Sequence, residues 1–332
     1  PETASIAVFM DRLKETGTPM MRQMTFADVY WKQVEPEDDQ WDFTLADSAY
    51  FNPFGIMPVG ELFAIMSAED TVGIQVPWEA CANPMFCFWD PETDSAETKD
   101  YIFTVIDRYK PVTTYWEIAN EFNNVMPPAG LPLPQKLNFL QYCHDWIRQA
   151  DNAATVVFPG MVGTYGFPME NNYSWLRNFL DMGGGSTFDV MNYHDYNSWW
   201  TLPAHYDSLR GIMDDMGCAD KGLWITETSI SSDTVSSITP AYSSVDEQAA
   251  DVWRRMALLW AKGADAVFWH SFWSSGLASE WGEFGLLNSL GKKKKSFHAF
   301  RLLIDKVASF EEAEALEYGE ITHDNENGGD GI

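Results

Sequence analysis

The sequence predicts an α/β protein built as a (β/α)8 TIM barrel, and three observations carry that prediction. Strand-like and helix-like segments alternate along the whole chain, with no low-complexity linker to divide it. Seven strands are each followed by a helix, too long a run for a compact doubly wound sheet. The 332 residues, 45% hydrophobic and 21% charged, suffice for one large buried core.

The elements follow from periodicity and from the turn residues between them. Thr3 to Glu15 has helical spacing and stops ahead of Gly17 and Pro19, after which Met20 to Met24 reads as a strand. A short helix at Leu45 to Phe51 leads through Asn52-Pro53 to a strand at Gly55 to Gly60. After a long loop, Ser95 to Tyr109 is helical and Thr113 to Ala119 is a strand. Pro134 opens a helix that runs to Ala150, and Thr155 to Pro159 is the next strand. Helix Trp175 to Met182 precedes strand Phe188 to Tyr193, and helix Ala204 to Met216 precedes strand Gly222 to Thr226. Helix Asp246 to Lys262 ends at Gly263 before strand Asp265 to Trp269, and Ser296 to Ala308 is the last long helix. Because the count begins on a helix, the first barrel strand lies upstream of this chain or is missing from it, with Ala315 to Ile321 as the alternative source. The catalytic barrel is expected over 1–310, and 311–332 as an acidic, Gly-rich tail or the start of an accessory domain.

A net charge of −28 and a pI near 4.3 repel nucleic acid and anionic membrane, so neither is an expected partner. The acidic surface suits a secreted or periplasmic protein, and an opening at Pro1-Glu2 rather than Met implies a signal segment removed upstream. The longest apolar stretches are interrupted by charges, which leaves no membrane span. Cys81 and Cys87 either pair or stay free, while Cys143 and Cys218 fall in helices or at their ends. Lys292 to Lys295 is the one strong positive cluster and reads as a solvated turn before the last helix.

Two runs carry the chemistry. Trp116-Glu117-Ile118-Ala119-Asn120-Glu121 and Leu223-Trp224-Ile225-Thr226-Glu227-Thr228 are apolar and β-prone, and each delivers a carboxylate at its end. Most of the 49 acidic residues must be surface groups, but an Asn-Glu closing an apolar strand is a different setting. In this barrel the reacting groups sit at the C-terminal strand ends. Glu121, Glu227, His194 and Trp269 all fall there. Two carboxylates facing one cleft can cleave a glycosidic bond, one moving a proton and the other attacking the sugar carbon.

Around that pair, Arg22 is the cation expected near Glu227, which must be ionised to attack. Glu117 shares strand parity with Glu121, points into the barrel, and needs a partner to be buried; Arg22 is the candidate there too. Asn120 serves either as a sugar contact or as a turn cap. His194 and Tyr196 follow one strand together, and Tyr196 or Tyr193 is expected to donate to Glu227. Trp269 and Trp273 are expected in the cleft, with His270 a weaker candidate. Trp78, Trp89, Trp199, Trp200 and Trp281 lie in loops on the same face, as sugar platforms or as loop cores. With six His, only His194 and His270 well placed, and neither H-x-H nor C-x-x-C, no metal and no cofactor is expected. A non-catalytic carbohydrate-binding barrel is the alternative, although such a module has no use for both glutamates.

These motifs resemble the clan A glycoside hydrolases, retaining (β/α)8 enzymes whose acid/base and nucleophile glutamates end the fourth and seventh strands. Asn120-Glu121 matches the clan's Asn-Glu, Ile225-Thr226-Glu227 its nucleophile strand, and His194-Asp195-Tyr196 its His-x-Tyr. Within the clan, Arg22, then Trp31-Lys32-Gln33-Val34-Glu35-Pro36, then Gln40-Trp41-Asp42-Phe43, is similar to the early region of family 39. The resemblance implies Glu121 as acid/base and Glu227 as nucleophile. It also implies a sugar 2-hydroxyl contact for Asn120 and a Trp after strand eight beneath the sugar. The loop tryptophans, as rings for more than one sugar, favour a β-linked oligo- or polysaccharide substrate, with a closed pocket for one terminal sugar as the alternative.

Overall fold

The computed structural model describes residues 2–22, 29–37, 39–62, 95–123, 132–163, 168–233, 243–274 and 283–307. Its strands are β1 (Met20–Arg22), β2 (Met57–Leu62), β3 (Tyr115–Ile118), β4 (Thr155–Val157), β5 (Met161–Gly163), β6 (Val190–Asp195), β7 (Gly222–Thr228) and β8 (Ala266–Trp269). All pair in parallel, in the order β1-β2-β3-β4-β6-β7-β8, with β5 also on β6. Strands β4 and β5 are two halves of one barrel position, separated at Phe158-Pro159-Gly160, where Pro159 has no N–H for the ladder. The seven predicted strands are therefore seven barrel positions, and among the described residues β5 is the strand that the sequence reading left out, as it did the short helix at Trp31–Val34.

Helices between the strands form the outer layer: α1 (Glu2–Lys14), α2 (Trp31–Val34), α3 (Thr44–Tyr50), α4 (Ser95–Tyr109), α5 (Leu133–Ala150), α6 (Tyr173–Asp181), α7 (Leu202–Asp215), α8 (Val245–Ala261) and α9 (Lys295–Val307). Helix α8 shows how local chemistry sets a boundary. The Ser244 hydroxyl accepts from the Glu247 N–H at 3.1 Å, and Asp246 and Glu247 place negative charge in the first turn.

Alternation along each strand divides the core in two. One set of side chains packs outward against the helices in the main cluster. The other fills the barrel with Val59, Val157, Val190 and Trp224, joined by Met20, Tyr115, Ala266 and Phe268. Two residues further along several of these strands, the same parity brings Arg22, Glu61, Glu117 and Asn192 into the interior. An apolar floor thus carries a polar tier, and the tier lies toward the C-terminal strand ends.

Among the described residues, no ladder joins β1 to β8. A cavity of about 940 Å³ lies between them, lined by Phe9 and Leu13 of α1, both strands, and Phe300 and Ile304 of α9. Ala315 to Ile321 and the rest of 311–332 lie outside the described residues, as do Cys81, Cys87, Trp78, Trp89 and Trp281. Cys143 and Cys218 are buried free thiols. No described helix is long and apolar enough to cross a membrane.

The lysine run needs a correction. Lys295 is exposed and pairs with Asp246, but the Lys294 side chain is only 9% exposed. Its ammonium donates to the Ser232 hydroxyl at 2.9 Å and the Glu283 carbonyl at 3.0 Å, and burial lowers its pKa despite Glu283. One lysine of the predicted solvated turn is instead a buried tie between the 231–233 and 283–287 loops.

Candidate active site

Arg22, the last residue of β1, organises the tier. Its Nε and Nη2 donate to the two oxygens of Glu117 at 2.6 and 2.9 Å, its Nη1 to Glu227 Oε1 at 2.6 Å, and Nη2 also to Asn120 Oδ1 at 2.9 Å. Glu61 lies 3.4 Å from Nη2. One guanidinium in rigid fork geometry thus meets three carboxylates, an arrangement that a lysine could not supply. Burial works against its charge, but Glu117, Glu61 and Glu227 outweigh burial and raise its pKa well above the ordinary value.

The Glu121 turn departs from strand alternation. Ala119 and Glu121 both have positive φ, 59° and 47°, a region that costs a non-glycine residue on the order of 1–3 kcal/mol. The Ala119 N–H donates to Leu62 O at 2.6 Å and holds the first of these in place. The double turn lets neighbours of opposite parity, Asn120 and Glu121, reach the same interior.

Glu227 reaches it by another device. Pairing runs from Tyr193–Ile225 to His194–Glu227 on one side of β7, and from Ile225–Val267 to Thr228–Trp269 on the other. The extra residue is a bulge, which re-aims the side chain that follows it. Thr226 and Glu227 therefore both face the tier, where strict alternation would turn one of them out to the helices.

His194 links the two glutamates. Its Nδ1 is 3.0 Å from Glu121 Oε1 and 3.6 Å from Glu227 Oε2, and its Nε2 is 3.1 Å from Thr226 Oγ1. The Thr226 N–H and hydroxyl both donate to Asn192 Oδ1, while Asn192 Nδ2 donates to Glu117 at 2.9 Å. With its one proton committed to Asn192, the Thr226 hydroxyl can only accept from His194, so Nε2 carries hydrogen. The Nδ1–Glu121 contact then places the ring where it can share a proton with the carboxyl group. The ring stands where Gly160 has no side chain: a Cβ there would come within 2.2 Å of Nε2.

The Tyr196 hydroxyl donates to Glu227 Oε2, while Tyr193, with outward parity, is buried in the main core. Burial and the nearby glutamates raise the Tyr196 pKa far up, so it remains a donor. Burial alone would raise the Glu227 carboxyl. His194, His270, Arg22 and the Tyr196 hydroxyl outweigh that and lower it to about 2. Burial lowers the pKa of His270, which is neutral at pH 7, so at that pH the Arg22 charge and the Tyr196 hydroxyl carry more of the effect.

A carboxylate oxygen of Glu121, one of Glu227 and a ring nitrogen of His194 all lie within 4.8 Å of one another. These atoms could enclose a cation, but both Glu227 oxygens already accept hydrogen bonds, and a guanidinium 2.6 Å away opposes further positive charge.

The tryptophans require correction. Trp269 is 8% exposed, lies on the outward face of β8 in the main core, and donates its indole N–H to Phe284 O at 3.2 Å. It also lines the cavity between β1 and β8 that Arg22, Glu227, His270 and Trp273 border. Trp273 is half-buried, donates to Ser289 O, and lays its ring where a Cβ on Gly291 would stand. The inward position at the end of β8 belongs to His270, whose Nε2 is 4.0 Å from Glu227 and whose ring meets Tyr196 edge-on. Period-two spacing through Ala266 and Phe268 was the available signal. Asn192, which orders Thr226 and Glu117, carried none.

Comparison with curated protein sequences yields no match. Residues 138–293 match the family described as "Glycosyl hydrolase catalytic core". Among solved structures, a family 39 glycoside hydrolase from Bacteroides cellulosilyticus superposes with a TM-score of 0.67 at 18% identity, over 91% of this chain and 60% of that one. A monomeric β-xylosidase from Caulobacter crescentus gives 0.65 at 18%, over 90% and 64%. The native xylanase 10B of Thermotoga maritima gives 0.58 at 14%, over 86% of each. The chain spans about three fifths of the length of the first two. The chain shares the fold of these enzymes and a stretch similar to the glycosyl hydrolase catalytic core, and its strand-end motifs resemble those of the clan A glycoside hydrolases.

Proposed function

We propose that the protein is a retaining β-glycosidase that hydrolyses β-linked oligo- or polysaccharides by double displacement, with Glu227 as nucleophile and Glu121 as acid/base. The observation that carries this reading is the approach of a Glu121 oxygen and a Glu227 oxygen within 4.8 Å. Retaining enzymes keep their carboxyl groups about 5–5.5 Å apart, whereas inverting ones leave about 6.5–9.5 Å for a water.

In the first step Glu227 forms a bond to the anomeric carbon while the bond to the leaving oxygen breaks, and Glu121 gives that oxygen a proton. In the second, Glu121 takes a proton from water, the water oxygen bonds to the same carbon, and Glu227 leaves as carboxylate. Arg22 and Tyr196 hold Glu227 ionised and fix both its oxygens before attack. His194 shares the transferable proton with Glu121 before the first step, and again once water has replaced it in the second. Asn120, oriented by Arg22, is the sugar 2-hydroxyl contact, and His270 takes the inward place assigned beforehand to Trp269. Trp200, 55% exposed and edge-on to Trp199 in the turn after β6, offers a ring for a more distant sugar. The acidic surface fits a secreted or periplasmic setting.

A 2-deoxy-2-fluoro glycoside with a good leaving group tests the reading. An enzyme of this kind accumulates a covalent adduct, which peptide mass spectrometry locates on Glu227. Slow turnover with no adduct removes the nucleophile, and neither turnover nor adduct favours a binding barrel. Loss of chain length in a long β-glycan, followed over time, separates internal cutting from release of terminal sugars.

A further inference from the structure

We propose that Arg255, in the middle of α8, is a positioning residue for the Tyr196–Glu227 contact. Its side chain is fully buried and never touches the carboxylate pair. Nη2 donates to Asn197 O at 2.6 Å, and Nη1 to Asp195 O at 3.3 Å and Thr228 Oγ1 at 3.1 Å. Those acceptors belong to the residues immediately before and after Tyr196 and to the residue immediately after Glu227. The Thr228 hydroxyl in turn donates to Asp195 O at 2.7 Å. One guanidinium therefore grips the chain on both sides of Tyr196 and ties it to the strand end that carries Glu227.

The rest of the segment is fixed from other directions. The Tyr196 N–H donates to Gly163 O at 3.0 Å, and the Asp195 carboxylate accepts from the Asn197 N–H and from His205 Nδ1 at 2.6 Å. Arg255 adds a bridge from β6 to β7 beside the direct Thr228–Asp195 contact. Asp251, one turn earlier on α8, pairs with its Nε and leaves both terminal nitrogens for the carbonyls. A buried ion pair is weak grounds for stability, since well-packed apolar residues often replace one at no loss. The planar fork is suited to placement, because it meets three acceptors at fixed angles where an ammonium would meet one or two.

The kinetic part of this inference rests on Glu227 being the nucleophile; the positional part does not. The experiment therefore reads the Glu227 carboxyl directly, by NMR titration of protein carrying carboxyl-labelled glutamate, with the resonance assigned by its loss in Glu227→Gln. Arg255→Met and Thr228→Val are compared with Arg255→Lys, and kcat and KM are measured on an activated aryl glycoside. Loosening Tyr196 should raise the Glu227 pKa by about one unit, a tenfold change in its protonation constant. In Arg255→Met, kcat should fall about tenfold with KM within about twofold, and Lys should recover part of the loss. In a Tyr196→Phe background, Arg255→Met should add no further rise, because the contact it supports is already gone. If Arg255→Met and Thr228→Val lower the melting temperature but leave the titration and kcat unchanged, Arg255 only packs α8 and the proposal is overturned. Should Arg255→Met fail to fold, Thr228→Val, which keeps the Arg255–Asp251 pair, decides alone. If the unaltered protein cleaves no glycoside, the functional reading fails while the titration still decides the positional claim.

Discussion

Tyr196→Phe removes a single oxygen atom from the site and tests how Glu227 is kept ionised. The carboxyl is lowered from 4.5 to about 2 while buried, a difference worth about 3 kcal/mol at 1.36 kcal/mol per pH unit. The phenol supplies one of the two hydrogen bonds to its oxygens, the other coming from Arg22. A hydrogen bond to a charged group contributes about 1.5–3 kcal/mol, so losing it should raise the Glu227 pKa by about 1–2 units, to between about 3 and 4. The assay is the acid limb of kcat/KM against pH, which reports the free enzyme. The limb should move toward neutral pH while the alkaline limb stays in place. The linkage has a definite sign. A depressed carboxyl stabilises the fold above its unfolded pKa, and that contribution is lost as pH falls through the folded value. Tyr196→Phe should therefore begin losing stability at a higher pH than the unaltered protein. An unmoved acid limb with intact folding would refute the account of how Glu227 is held.

Further perturbations reach other parts of the site. Glu121→Ala should slow substrates with poor leaving groups by about 10²–10⁴ and spare those with good ones, measured across an aryl glycoside series; equal losses would deny Glu121 the acid role. Glu227→Gly should lose turnover, regain part of it with added azide and yield an α-configured azide product, identified by NMR. Gly160→Ala pushes a methyl group into the His194 ring and should cost about 1–3 kcal/mol of stability together with activity, whereas unchanged kinetics would show that the His194–Glu121 contact does not serve proton transfer. His205 is buried against its charge, yet Asp195 and Glu170 raise its pKa above 6.5. Its stabilisation is thus complete below the unfolded pKa and fades as pH rises through the folded one. His205→Gln should lower the melting temperature more at about pH 5.5 than at about pH 9.

Much of this site was legible in the sequence because it rests on alternation and charge compensation. Glu117 had the parity of an inward residue and needed a cation, and Arg22 was the candidate at a strand end; the structure joins them with two hydrogen bonds. Strand and helix positions followed the same logic to within a few residues, except where Pro159-Gly160 splits one strand and the second half carries no separate pattern. What stayed hidden was backbone irregularity. The β7 bulge that turns Glu227 inward and the positive φ of Ala119 and Glu121 leave no mark on composition. The preference for Trp269 over His270 set a large aromatic against period-two spacing, and the spacing prevailed. The burial of Lys294 was invisible for another reason, since its partners come from two distant loops.

The most direct measurement of the central claim is the configuration of the sugar at the moment of release. Proton NMR during rapid hydrolysis of a β-glycoside resolves the two anomers before they interconvert. Double displacement through Glu227 predicts that the β anomer appears first and the α anomer grows only as mutarotation proceeds. An α anomer appearing first would mean single displacement by water, and would contradict the roles given to Glu121 and Glu227.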